Sequence, residues 1–199
     1  MAVHLTLTPA THDAILQDAT ARLVSGGIVV IPTDTVYGLA AHPACAASVA
    51  RLGTIKGRPT GKPIALLAAD ADAVRRSGAV FPPTAKRLAE RFWPGALTLV
   101  LDCGGVSEGF RVPDHPFCRD LLAACGGLLR VTSANLSGAQ PAVSAAQALA
   151  DIGLEADLVV DDGLSPGGVA SSVVRVTVDA VSLLREGAIA ADLIYADCY

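Results

Sequence analysis

A chain of 199 residues, 52% hydrophobic and 17% charged, is long enough for one domain with a substantial core and short for two independent ones. A net charge of −4 and only 4% aromatic residues argue against a surface built to grip nucleic acid, which needs basic and stacking groups. No apolar run reaches the roughly 18 residues of a membrane-spanning helix, and Met1 to Pro9 lack the layout of a secretory leader, so a cytoplasmic location without membrane contact is expected.

In chain order, His12 to Ser25 carries Ala14, Ile15, Ala19 and Leu23 at helical spacing and stops at Gly26-Gly27. Ile28 to Ile31 is a continuous apolar run, which predicts a buried strand, and Pro32-Thr33-Asp34-Thr35 breaks it. Ala44 to Ile55 reads as a helix that leads into a turn at Lys56. Ile64 to Ala68 reads as a strand. Pro82 to Phe92 reads as a helix closed by Trp93-Pro94-Gly95. Strands are predicted at Ala96 to Leu101 and Gly109 to Val112, then a helix at Phe117 to Cys125 and a strand at Leu128 to Thr132. Ser144 is a natural N-cap for a helix to Ile152. Short strands follow at Leu158 to Val160, Ser172 to Val176 and Ser182 to Leu184. Alternation that gives way to closely spaced strands predicts an α/β fold with a partly parallel, partly antiparallel sheet.

Five cysteines, with no Cys-x-x-Cys pair, fit neither a disulfide framework nor a zinc cage. Cys118 and Cys125 are seven apart in a helical stretch, which makes both core residues of one face. The four histidines show no ligand spacing, so no metal site is expected in the protein. Charge is uneven. Residues 51–130 hold twelve Lys and Arg against seven acids, and residues 131–199 hold two against nine. A local positive field in an acidic chain suits an anionic small molecule.

Lys56-Gly57-Arg58, in a turn-rich stretch, and Thr132-Ser133-Ala134-Asn135, after an apolar strand, supply what a nucleotide phosphate needs: fixed cations and short neutral donors. The stretch Gly57 to Pro63 is not a P-loop. Three residues separate its glycines, and Pro63 stands where a hydroxyl must meet magnesium. No Gly-x-Gly-x-x-Gly follows a strand, and no Gly-x-Ser-x-Gly elbow offers a nucleophile. What remains is a set of polar clusters at strand ends: Thr33 to Thr35, Thr98, Arg111, Ser133 with Asn135, Ser171 with Ser172, and Arg185. Open α/β sheets bind ligands where strands end, so these clusters are expected to rim one pocket.

Six segments carry a more specific signal. They are Ile31 to Leu39 (IPTDTVYGL), Lys56 to Pro59, Phe92 to Thr98 (FWPGALT), Arg111 to Pro116 (RVPDHP), Ser133 to Gly138 (SANLSG) and Leu184 to Gly187 (LREG). Together and in this order they resemble the YrdC family, the threonylcarbamoyl-AMP synthases, from about residue 19 to residue 189. The resemblance implies a single YrdC-like domain over 1–199, a twisted mixed sheet with helices packed on it around a central concave pocket. It also implies a reaction, in which L-threonine, bicarbonate or CO2 and ATP give threonylcarbamoyl-AMP and pyrophosphate. A downstream transferase would then pass the threonylcarbamoyl group to tRNA.

Carried onto this chain, the resemblance makes Lys56 and Arg58 the catalytic cations on the ATP phosphates. Thr98, Ser133, Asn135 and Arg185 join them around the nucleotide. Thr33, Arg111, Thr132 and Ser171 would enclose threonine, with Arg111 on its carboxylate and Thr132 acting through the backbone. Magnesium would come with ATP, held by phosphates and water. The chain departs from the family's commoner pattern at Ala96, at Leu67, where some members carry a histidine, and at Ala170. It also ends near the last shared segment, so a C-terminal lid domain of the longer members is expected to be absent. Two other roles attach to this fold: a double-stranded-RNA or ribosome-associated binder, with weak tRNA contact, and a carbamoyl-adenylate-forming module.

Overall fold

A computed structural model describes residues 2–57, 63–152 and 155–198. Strand β1 (Val3–Thr6) and helix α1 (His12–Val24) precede the antiparallel pair β2 (Ile28–Ile31) and β3 (Gly38–Ala41). Helix α2 (Ala46–Ile55), β4 (Leu66–Ala68), α3 (Ala71–Arg76) and α4 (Pro83–Phe92) follow. Then come β5 (Leu97–Cys103), β6 (Val106–Arg111), α5 (Pro116–Ala124), β7 (Leu128–Ser133) and α6 (Ala145–Ile152). The last elements are β8 (Leu158–Asp161), β9 (Ser172–Val176), β10 (Val181–Arg185) and α7 (Ala191–Ala196).

One sheet orders these strands β1-β8-β2-β3-β7-β4-β6-β5-β9-β10. Pairing is mixed, as the sequence predicts: β2/β3, β3/β7, β4/β7 and β5/β6 are antiparallel, and β2/β8, β4/β6 and β5/β9 parallel. The residue-by-residue alternation of side chains along each strand divides the core. On one face Val29, Ile31, Ala40, Leu67 and Leu129 pack with Leu23 of α1 and Leu121 and Leu122 of α5. On the other, Ile28, Val30, Leu39 and Ala41 meet Leu52 of α2 and Ala148 of α6. Further along, Leu97, Leu99, Phe110 and Val174 meet Leu88 of α4 and Ile194 of α7. Full burial of a Leu or Phe contributes about 1.5–3 kcal/mol, so an aliphatic core suffices with few aromatics.

Caps explain several boundaries. Asp70 accepts from Ala73 N at the start of α3, Ser144 Oγ accepts from Gln147 N ahead of α6, and Gly26, at φ +90°, ends α1. Cys118 and Cys125 lie in the core, as expected, and burial pushes their thiols up to about 12 and about 11, so both stay protonated.

Strand β3 escapes the sequence patterns. Gly-Leu-Ala-Ala has no β-branched residue, yet it runs between β2 and β7. A Cβ on Gly38 would stand 2.6 Å from Val131 Cγ1, so only glycine lets these two strands pair closely. β1, α3 and α7 are also additional to the predicted elements, and β6 starts earlier than predicted, at Val106.

Candidate active site

Helices α1 and α5 cover only part of their face of the sheet. Beyond them the same face continues across small residues. Gly109 lies beside Ala65 and Thr98, where a Cβ would meet Ala65 Cβ at 3.4 Å and Thr98 Cγ2 at 3.6 Å. The strand order brings the ends of β7 and β6 and the starts of β5 and β9 to this floor. Ser133, Arg111, Thr98 and Ser171, far apart in the chain, become its rim. Two surface hollows, of 190 and 390 Å³, lie elsewhere, one around Arg75, Trp93 and Arg119 and one around His12, His115 and Phe117. Neither includes this rim.

Lys56 is not the solvated turn lysine that its loop suggests. It is buried, and its Nζ donates to the backbone oxygens of Ser133 and of Asn135, the latter at 2.6 Å, with Ser133 Oγ at 3.3 Å. Asn135 in turn spends both amide hydrogens on its own loop, donating to Leu136 O at 2.8 Å and Ala139 O at 2.9 Å. Lys56 therefore organises the 133–139 segment, and Asn135 shapes it. The Asn135 amide hydrogens, expected beside the nucleotide, are thus engaged within the loop itself. Arg58 lies outside the described residues. Thr132 shares its face of β7 with Leu128 and Arg130, opposite to Ser133, so its side chain points away from the face that carries Ser133.

Thr33, expected beside threonine, has its hydroxyl engaged within its own turn. Its hydroxyl donates to Val36 O at 2.6 Å and accepts from Thr35 N and Val36 N. Those bonds fill its capacity, so Thr33 builds the turn rather than offering a free hydroxyl. The turn presents Asp34 and Thr35 to Arg111. The Arg111 guanidinium donates through Nε to Gly95 O at 2.9 Å, through Nη1 to Thr35 Oγ1 at 2.7 Å and through Nη2 to Asp34 Oδ1. The side chains of this ion pair are 7% and 12% exposed, which makes it a buried pair.

A third network spans β5, β9 and the segment after β10. Thr98 Oγ1 and Ser171 Oγ share a hydrogen bond of 2.8 Å, and both residues are buried. Arg185 donates to Ser171 O through Nε at 3.1 Å and Nη2 at 2.7 Å. Ser172 Oγ donates to Ile189 O and accepts from Gly187 N and Ile189 N. Ser171, expected at threonine, is thus brought together with Thr98 and Arg185, expected at the nucleotide, and Arg185 anchors a backbone carbonyl that the sequence could not reveal.

His115 N-caps α5 through Nδ1, which accepts from Cys118 N, and its Nε2 lies 3.1 Å from Asp162 Oδ2. A neutral ring serves both partners, as acceptor at Nδ1 and donor at Nε2. Burial holds the His115 pKa below the usual value, although Asp162, Asp34 and Asp114 pull it up. The unfolded chain therefore accepts a proton near pH 6.5 that the folded chain resists, and stability is lost as pH falls through that range. His115→Asn keeps a capping acceptor and removes the titration. The expected result is a melting temperature that drops less than wild type's between about pH 7.5 and pH 5; equal drops would remove His115 from the account.

Residues 21–187 match the Sua5_yciO_yrdC family, described as "Telomere recombination". The chain belongs to this family. It is 34% identical to the threonylcarbamoyl-AMP synthase of Bacillus subtilis, over 94% of this chain and 57% of that protein. It is 36% identical to the threonylcarbamoyl-AMP synthase of Halorhodospira halophila, over 76% of this chain and 85% of that protein. Among solved structures it is similar to P. abyssi Sua5 complexed with L-threonine, with a TM-score of 0.89, 28% identity and coverage of 99% of this chain and 60% of that one. The chain thus spans little more than half of the B. subtilis and P. abyssi proteins.

Within the Sua5/YciO/YrdC frame, sequence reasoning placed Asp34 and Thr35 in a strand-end cluster but gave no role to either, nor to Gly38, Gly95 and Gly187. Each sits inside or beside a recognisable segment. The glycines carried a usable signal, since a glycine in a strand or turn often marks close backbone approach. No cluster of three His, Cys, Asp or Glu able to hold a metal occurs among the described residues.

Proposed function

We propose that this chain is a threonylcarbamoyl-AMP synthase that joins L-threonine, bicarbonate or CO2 and ATP. The observation that carries this reading is the buried Arg111–Asp34–Thr35 clamp at the end of β6, with the Thr98–Ser171 hydroxyl pair on the same face of the sheet. Arg111 offers a carboxylate a fixed planar donor. The hydroxyl pair offers a partner to a side-chain hydroxyl. The threonine-bound Sua5 structure supports placing the amino acid in this fold.

The chemistry needs no protein nucleophile. The amine of threonine, once it has lost its proton, adds to CO2 as a carbamate. A carbamate oxygen attacks the α-phosphorus, the bond to the bridging oxygen breaks, and pyrophosphate leaves. The protein's part is alignment of the two reactants and stabilisation of growing phosphate charge. Lys56, Ser133 and the backbone of the 133–139 segment, with Arg58 and Arg185, would do this. Magnesium bound to ATP would neutralise phosphate charge, held by phosphates and water. The product is a reactive mixed anhydride, which a tRNA threonylcarbamoyl transferase in the cytoplasm would consume.

Pyrophosphate release that requires threonine, bicarbonate and ATP together tests this reading. Release with carbamoyl phosphate in place of threonine and bicarbonate would indicate a carbamoyl-adenylate module. Steeply salt-dependent tRNA binding without release would indicate an RNA binder. Selectivity offers a sharper check. Serine, lacking one methyl, should be used less well than threonine by about 10–200-fold at most, and valine should be rejected more firmly because it brings no hydroxyl to the polar Thr98–Ser171 pair and sets a methyl against it. Valine used as well as serine would mean that the hydroxyl is not read.

A further inference from the structure

Asp34 is the one carboxylate in direct contact with the Arg111 guanidinium among the described residues, and nothing in the reaction itself assigns it a task. Its placement is strongly determined. Gly167 N donates to Asp34 O at 3.0 Å, and a Cβ on Gly167 would stand 2.6 Å from that same oxygen. Glycine there lets the 163–170 segment press on the Asp34 backbone. The Thr33 turn holds the other side through Thr35 N and Val36 N. Two separate parts of the chain thus converge to hold one acid against one arginine.

The guanidinium has five N–H donors. One each at Nε, Nη1 and Nη2 goes to Gly95 O, Thr35 Oγ1 and Asp34 Oδ1. Two donors are then available in this arrangement, the number that a carboxylate takes in a bidentate grip. The three partners leave the plane of the guanidinium no freedom to rotate. A buried arginine without an anionic neighbour would carry an uncompensated charge and would have to move or draw in water.

We propose that Asp34 is a positioning residue: it holds the Arg111 guanidinium, from the side opposite to the ligand, in the orientation that grips the carboxylate of the amino-acid substrate. This rests on the reading of Arg111 as the carboxylate partner. Asp34 acts on the amino acid through Arg111 and leaves the nucleotide side, built on Lys56 and Ser133, untouched.

Three variants of the full chain, with threonine and ATP affinities measured separately by calorimetry, test this. Asp34→Asn keeps the shape and removes the charge. The expected result is threonine binding weakened by about tenfold or more, with ATP binding within about twofold of wild type. Asp34→Glu restores the charge on a longer arm and should fall between wild type and Asp34→Asn. In the double variant Asp34→Asn/Arg111→Lys, threonine binding should be no weaker than in Arg111→Lys alone, because Asp34 has no route to the substrate except through Arg111. Additive losses, or equal losses for ATP and threonine, would overturn the proposal. Should Asp34→Asn not fold, the Asp34→Glu protein carries the same comparison of threonine with ATP. A wild-type protein that fails to bind threonine would defeat the functional reading itself. Threonine bound equally by wild type and Asp34→Asn would defeat only the role of Asp34.

Discussion

Lys56→Ala should lose most adenylate formation and also melt earlier than wild type. The sequence suggests only the first effect, since a lysine in a Gly- and Pro-rich turn normally costs little to remove. The structure adds the second. The Lys56 ammonium holds Ser133 O and Asn135 O, 77 and 79 residues away in sequence, and alanine leaves both carbonyls without it. A buried polar group left unsatisfied costs about 1–3 kcal/mol. For a chain of this size about 2–4 °C of melting temperature is lost per kcal/mol, so a fall of about 2–12 °C is expected for each carbonyl left unsatisfied. Loss of one donor to a transferring phosphate costs about 100- to 1,000-fold in rate. Pyrophosphate release measured well below the new melting temperature separates the two effects. A variant with the wild-type melting temperature and rate would remove Lys56 from both roles.

Gly187→Ala should be the most damaging single-methyl change in the described part of the chain. The added Cβ would overlap Ala170 O and stand 2.6 Å from the Ser171 carbonyl carbon. Both are backbone atoms, so neither can rotate away. Relief requires the 185–189 segment to lift off residues 170–172. That movement would break Arg185 to Ser171 O, Gly187 N to Ser172 Oγ and Ala188 N to Ala170 O. Overpacking of this kind costs about 3 kcal/mol or more, and here it also disperses the Thr98–Ser171 pair. Gly53→Ala is the matched control. It lies in α2 with nothing within 4 Å of the new Cβ, so it should be neutral or slightly stabilising. Similar melting temperatures for the two variants would contradict the close approach at Gly187.

Much of the fold was legible because its signals are local. The run Ile28 to Ile31 and the periodic apolar residues of His12 to Ser25 declare a strand and a helix by period alone, and the structure has both. The caps at Gly26 and Ser144 follow from side-chain and backbone chemistry within a few residues. β3 was not legible, since Gly38-Leu39-Ala40-Ala41 has weak intrinsic preference for a strand. Its conformation comes from β2 and β7, which pair with it on both sides. The basic residues of α4 lie on its exposed face: Lys86 faces Glu90, and Arg91 pairs with Asp197.

The candidate site divides along the same line. By itself the sequence determined which residue types stand at strand ends and that they carry charge and hydroxyls, because strand, turn and composition are properties of short segments. Only the tertiary structure decided which of them meet. Arg111 reaches Asp34 across 77 residues, Thr98 reaches Ser171 across 73, and Lys56 reaches Ser133 across 77. These meetings depend on the strand order β3-β7-β4-β6-β5-β9, which long-range pairing and core packing select together. They also decide function within a residue type. A hydroxyl that is spent on its own turn, as in Thr33, and one paired at the floor, as in Ser171, look alike in sequence and differ only once the chain has folded.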